Sequence, residues 1–155
     1  VASRLGGRTA LTETTITGTS ASYAFGAEGL YSYKVRANGA GGTQSDWSAS
    51  CGVTYDKTAP TVAFSITNPF SGSAGTSVTF SGTSSGASSV RVFLGTTDLG
   101  AATMSANGNW ALTTVVPTIP GGIYPLKAVA KDAAGNTATT FPWYSFIVIN
   151  LMPWL

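Results

Sequence analysis

Asp56-Lys-Thr-Ala-Pro60 and Asp132-Ala-Ala-Gly-Asn136 bracket the stretch that decides the fold. Between them Val62, Phe64 and Ile66 alternate with polar residues over Thr61 to Thr67, and Val78 and Phe80 do the same over Ser77 to Ser81. Val90, Val92 and Leu94 mark a third run, and Tyr124, Leu126, Ala128 and Ala130 alternate up to Asp132. Side chains on a strand point to opposite faces in turn, so a period of two predicts strands with one face buried. Asp98-Leu-Gly100 reads as a turn, and Asn107-Gly108 as a strong hairpin turn between a short strand at Ala101 to Ser105 and another from Trp110 to Val116. Trp143 to Asn150 closes the set. Seven short strands over 61–150 predict an antiparallel β-sandwich.

Upstream the same rule applies. Tyr31, Tyr33, Val35 and Ala37 alternate with Ser32, Lys34, Arg36 and Asn38, which predicts a half-buried strand. A glycine turn over Asn38 to Gly42 then leads to an extended segment through Trp47, Cys51 and Val53, giving a hairpin. Thr14 to Phe25 is dense in Thr and Ser and suits a strand or two, and Val1 to Leu11 adds at most two more. The organisation expected is therefore a first module over 1–54, a linker over 55–60 made rigid by Pro60, a second module over 61–150 and an apolar tail over 151–155.

Composition agrees and narrows the function. Of 155 residues 43% are hydrophobic and only 9% charged, and the polar remainder is Ser, Thr, Gly and Asn, which favours sheet over helix. A net charge of +2 from scattered Lys and Arg makes no basic stripe, so nucleic acid and anionic lipid are set aside as partners. The apolar segment Phe141 to Leu155 is broken by Pro142 and Pro153 and is shorter than the roughly 20 residues of a spanning helix, so no membrane span is expected. Val1 is not an initiator Met and no signal-peptide pattern follows it, so a processed or excised chain is expected. Cys51, the single cysteine, reads as a small buried apolar residue.

Phe25, the run Tyr31-Ser-Tyr-Lys-Val-Arg-Ala-Asn38, the glycine turn and Ser45-Asp-Trp-Ser48 resemble the later half of a fibronectin type III domain. The resemblance implies that Tyr31 bonds back to the backbone of the preceding corner with Phe25 packed beside it. Only residues 1–54 precede the linker where the family needs about 90, so the opening strands are missing, which would leave apolar surface and backbone edges uncovered. Asp56-Lys-Thr-Ala-Pro60, Asn107-Gly-Asn-Trp110, Gly122-Ile-Tyr-Pro-Leu126 and Asp132-Ala-Ala-Gly-Asn136 resemble the bacterial immunoglobulin-like repeats of surface adhesins and secreted proteins. The fold expected is all-β, two tandem antiparallel sandwiches, the first incomplete.

With no histidine, the usual base for a serine or cysteine nucleophile is missing, and the six acidic residues fall in the first module or in apparent turns with no facing pair, so no enzyme is expected. The resemblance to adhesin repeats allows a calcium site at Asp56, Asp132 and Asn136, since in such a sandwich the first strand begins at the end where the last two strands join. The simpler reading, which we favour, is that these residues close turns through backbone contacts. The resemblance implies an extracellular or cell-surface module that spaces or assembles a bacterial surface protein or fibre, partnered by other copies, adjacent modules, or a cell-surface glycan or protein. Strand complementation between chains would complete the first module. The alternatives are an accessory glycan-binding region of a secreted polysaccharide-degrading enzyme, or a decoration domain of a phage tail or virion. The aromatic residues are expected in the core, and the tail on a neighbouring module or chain.

Overall fold

The computed structural model describes residues 2–7, 10–66, 70–140 and 144–150, with side chains from residue 14 onward. The chain divides into two compact units, Val1–Lys57 and Thr58–Leu155. The expectations for Trp143 and for the tail 151–155 lie outside the described residues.

The first unit is a four-stranded antiparallel sheet of β1 (Ala2–Gly7), β2 (Ala10–Thr15), β3 (Gly29–Arg36) and β4 (Cys51–Tyr55), in the order β2-β1-β3-β4. Tyr31 pairs with Val53 and Tyr33 with Cys51, so the alternation of β3 continues across β4 and makes one apolar face. The segment expected to add strands up to Phe25 is strand only as far as Thr15. A strand persists where a neighbour takes its N–H and C=O groups, and among the described residues this unit has one sheet. From Val35 onward the chain keeps its pairing through backbone bonds, Ser48 N to Val35 O and Ser45 N to Ala37 O, and through side chains. Ser45 Oγ accepts from Ala37 N at 2.9 Å and Ser48 Oγ from Val35 N at 3.1 Å, extending the edge of β3 without a regular strand.

Among the described residues the second unit holds ten strand segments, more than the seven runs read from alternation. They are β5 (Thr61–Phe64), β6 (Phe70–Ser73), β7 (Ser77–Ser85), β8 (Ser89–Leu94), β9 (Thr97–Ala101), β10 (Thr103–Met104), β11 (Asn109–Val115), β12 (Gly122–Lys131), β13 (Thr137–Thr139) and β14 (Ser145–Ile149). One sheet runs β10-β11-β7-β5 and the other β6-β14-β12-β8-β9, with β13 paired to β12. The extra strands have little alternating apolar content: β6 is Phe-Ser-Gly-Ser, joined in parallel to β14, and β13 is Thr-Ala-Thr. The turn expected at Asp98-Leu-Gly100 is instead made by Gly95 and Thr96, where Leu94 pairs with Thr97 and Gly95 takes φ +58°, so Asp98 lies within β9.

The inward rows of both sheets make the core. In β8 Val90, Val92 and Leu94 are buried while their neighbours Ser89 and Arg91 are exposed, and in β12 Leu126, Ala128 and Ala130 are buried. Phe70, Phe80 and Phe146 form a triangle with centroids 5.6–5.7 Å apart, an arrangement that favours edge and tilted contacts. Trp110 is 2% exposed and lies across Gly82, its pairing partner, while its indole N–H donates to Thr83 O at 3.1 Å. At the changeover of β12 from β14 to β13, the buried Thr140 hydroxyl accepts from Ala128 N at 2.8 Å, which leaves that buried N–H satisfied.

Candidate functional site

The residues proposed for calcium fall in both units: Asp56 is half-buried at the end of the first, and Asp132 and Asn136 belong to the second. Asp132 and Asn136 come together, because Asp132 follows β12 and the loop turns back at once. Asp132 Oδ1 accepts from Gly135 N at 2.7 Å and Asn136 N at 2.8 Å, and Oδ2 accepts from the Asn136 amide at 2.9 Å. Asp132 N donates to Asn136 O at 3.0 Å, and the Asn136 amide also reaches Thr58 O at 3.5 Å. Gly135 takes φ +100°, which only glycine adopts at little cost. Burial pushes the Asp132 carboxyl up, but the Asn136 amide and the N–H groups of Asn136, Gly135 and Ala134 together hold it below the ordinary carboxylate value. A cation here would have to displace the Asn136 amide. Among the described residues no three His, Cys, Asp or Glu come together.

The other loop signal folds the same way. Asn107 Oδ1 accepts from the Ser105 hydroxyl at 2.6 Å and from Asn109 N at 3.2 Å, and Ser105 N donates to Asn109 O. Gly108, at φ +83°, sits where a Cβ would lie 2.3 Å from Ser84 O. Asp98 bonds Arg91, whose Nη2 is 2.6 Å from Oδ2. That donor holds the Asp98 carboxyl below its ordinary value, and the two groups form an exposed pair on one outer face.

The first unit carries the larger departure from expectation. Tyr31 does bond back as implied: its hydroxyl donates to Ala27 O at 2.6 Å and its ring lies 4.5 Å from Phe25, which also packs on Tyr55 at 5.1 Å. The second unit repeats the device unannounced, with the Tyr124 hydroxyl donating to Pro120 O at 2.8 Å. The spacing Pro120-x-x-x-Tyr124 at the start of a strand was the sequence signal for it. The aromatic residues expected in a core are not all covered, however. Tyr23 is 55% exposed, Tyr33 43% and Val35 41%, and Cys51 is exposed instead of buried. The cause is one missing layer: the face to which these residues point has no opposing sheet among the described residues. On the reverse face Arg36 lies over the Trp47 ring at 4.4 Å, so that indole is half-covered by a cation. Cys51 stands beside Tyr33, and its hydrogen bond and charge raise the phenol pKa.

Residues 73–148, within the second unit, match the family model described as bacterial Ig-like domain. No curated protein matches the chain. Among solved structures it resembles the fibronectin(III)-like modules of Clostridium thermocellum CbhA, at a TM-score of 0.59 and 16% identity over 96% of this chain and 78% of that one. That likeness is one of fold. SGBP-B of the Bacteroides ovatus mixed-linkage glucan utilization locus, solved in complex with a mixed-linkage heptasaccharide, matches at a TM-score of 0.35 and 18% identity over 96% of this chain and 38% of that one. The fold is thus all-β, with a bacterial Ig-like match over 73–148 and a fibronectin(III)-like neighbour among solved structures.

Proposed function

We propose that the chain is a non-catalytic module of a bacterial extracellular or cell-surface protein, whose work is to space and assemble a larger structure. The observation that carries this reading is where the polar side chains of the second unit are used. Asp132, Asn136, Asn107, Ser105 and Thr140 all satisfy the backbone of their own turns and strand ends instead of converging on a cleft. Such use builds a stiff unit with short loops. The match to a class common in surface and secreted proteins supports the same placement.

Glycan arrays and sugar-release assays on the whole chain test the reading against the accessory glycan-binding alternative. No glycan retained and no sugar released is the result expected. Saturable glycan binding that is lost on Tyr23→Ala or Trp47→Ala would overturn it, because it would give the aromatic residues a ligand of their own.

A further inference from the structure

Glycine follows asparagine at two places in this chain, Asn38-Gly39 and Asn107-Gly108. We propose that Asn38 is a site of spontaneous deamidation, where the chain converts itself to aspartate and isoaspartate, and that the fold withholds the same reaction from Asn107. In this reaction the glycine N gives its proton to a base in the solvent and attacks the asparagine Cγ. The new C–N bond closes a five-membered imide, and the side-chain nitrogen takes up a proton and leaves as ammonia. Water then opens the imide at either carbonyl, so amide and water become carboxylic acid and ammonia with no oxidant or reductant. Glycine favours the attack because no Cβ crowds the nucleophile and the backbone rotates easily there. Alanine precedes both pairs, so the reacting tripeptide is Ala-Asn-Gly at each site and only the fold separates their rates.

Both glycine N–H groups are donors in the folded chain, Gly39 N to Thr43 O at 2.8 Å and Gly108 N to Ser105 O at 3.0 Å. Each site therefore reacts from an opened loop, and its rate follows the open fraction. The Asn38 loop opens at low cost. Residues 37–46 are all exposed and include Gly39, Gly41 and Gly42. Besides the Gly39 bond, Asn38 Oδ1 accepts from the Gln44 amide at 3.1 Å, an exposed pair that water can replace. Asn107 is exposed as well, so exposure does not distinguish the two sites. Hydrogen bonding does. Asn107 Oδ1 accepts from the Ser105 hydroxyl at 2.6 Å and from Asn109 N at 3.2 Å, and Gly108 O accepts from Ser84 N at 2.8 Å. Ser84 is buried, and Gly108 fits against it so closely that a Cβ would lie 2.3 Å from Ser84 O. Opening this turn breaks two more hydrogen bonds than opening the Asn38 loop, one of them to a buried residue. Its open fraction is lower by about ten- to a hundredfold.

Trypsin cuts after Arg36 and Lys57, so the peptide 37–57 carries Asn38 as its single asparagine, while Asn107 falls in the peptide 92–127. The test incubates the whole chain in mildly alkaline buffer, folded and in concentrated denaturant, and follows both peptides by mass spectrometry. Isoaspartate is read by enzymatic methylation. Asn38 should convert at least about tenfold faster than Asn107 in the folded chain, and the two should convert at similar rates in denaturant. Ser105→Ala, which removes one donor from Asn107 Oδ1, should speed Asn107 several-fold and leave Asn38 unchanged. Equal rates in the folded chain overturn the proposal, and so does an Asn38 that converts only in denaturant. A slower Asn107 in Ser105→Ala also overturns it, because the donors would then activate the carbonyl instead of locking the turn. The comparison of two sites within one unaltered chain needs no variant, so a misfolded Ser105→Ala does not spare the proposal.

Discussion

Gly82→Ala tests the packing of the second unit at its tightest point. Gly82 pairs with Trp110 across β7 and β11, and a Cβ placed there would lie 2.0 Å from Ala63 O and 2.4 Å from Trp110 Cζ2. Neither neighbour can move freely. Ala63 O belongs to β5, whose register on β7 runs from Thr61–Ser85 to Phe64–Gly82, and the indole is 2% exposed with its N–H held by Thr83 O. Overpacking of this kind costs about 1–3 kcal/mol. A collision with backbone belongs at the upper end, and the loss of unfolded-chain entropy on replacing glycine returns only about 0.4–1 kcal/mol. A net loss of roughly 2 kcal/mol in a domain of about 100 residues lowers Tm by about 8–16 °C. Calorimetry on the whole chain would read this in the transition of the second unit, with Gly122→Ala as the control, because its Cβ meets Tyr124 Cε2 at an ordinary 3.8 Å. If Gly82→Ala melts within about 2 °C of the parent, the close approach of β5, β7 and Trp110 is wrong.

Other expectations follow from single contacts. Thr140→Val keeps the shape but removes the acceptor of Ala128 N inside the sandwich, so urea unfolding should show a loss of about 1–3 kcal/mol. The Asp132 carboxyl has a lowered pKa in the folded state, so its contribution is full above the ordinary carboxylate pKa of about 4 and is lost as pH falls through the folded value beneath it. Melts taken at successively lower pH should fall more steeply for the parent than for Asp132→Asn, and parallel curves would refute the role given to that loop. Millimolar calcium should leave Tm unchanged, since donors already occupy both Asp132 oxygens. A rise of several degrees, lost in Asp132→Asn, would show that the ion displaces the Asn136 amide.

Where alternation was strong, the sequence was enough to place strands: Val90-x-Val92-x-Leu94 and Leu126-x-Ala128-x-Ala130 each become one buried row. Phe70–Ser73 and Thr137–Thr139 escaped because strands held by an existing edge need little apolar content. Asp98-Leu-Gly100 misled because Gly95 can take the positive φ of the two-residue connection and Asp98 is then free to bond Arg91. The site residues were half legible. Asp132 and Asn136, four apart around a glycine, announced a closed turn, but the number of donors on each carboxylate oxygen is a property of the folded loop. Tyr31 was placed by its spacing from Phe25. Cys51 and Tyr33 were misjudged because periodicity tells which side chains share a face and not whether another layer lies on it.

The central claim is that the second unit is a closed sandwich, whereas the described residues of the first form a single sheet. Hydrogen exchange on the whole chain tests it most directly. Amides of β8 and β12 should exchange only through global unfolding, while those of β3 and β4 should exchange orders of magnitude faster. Equal protection of both units would contradict the account.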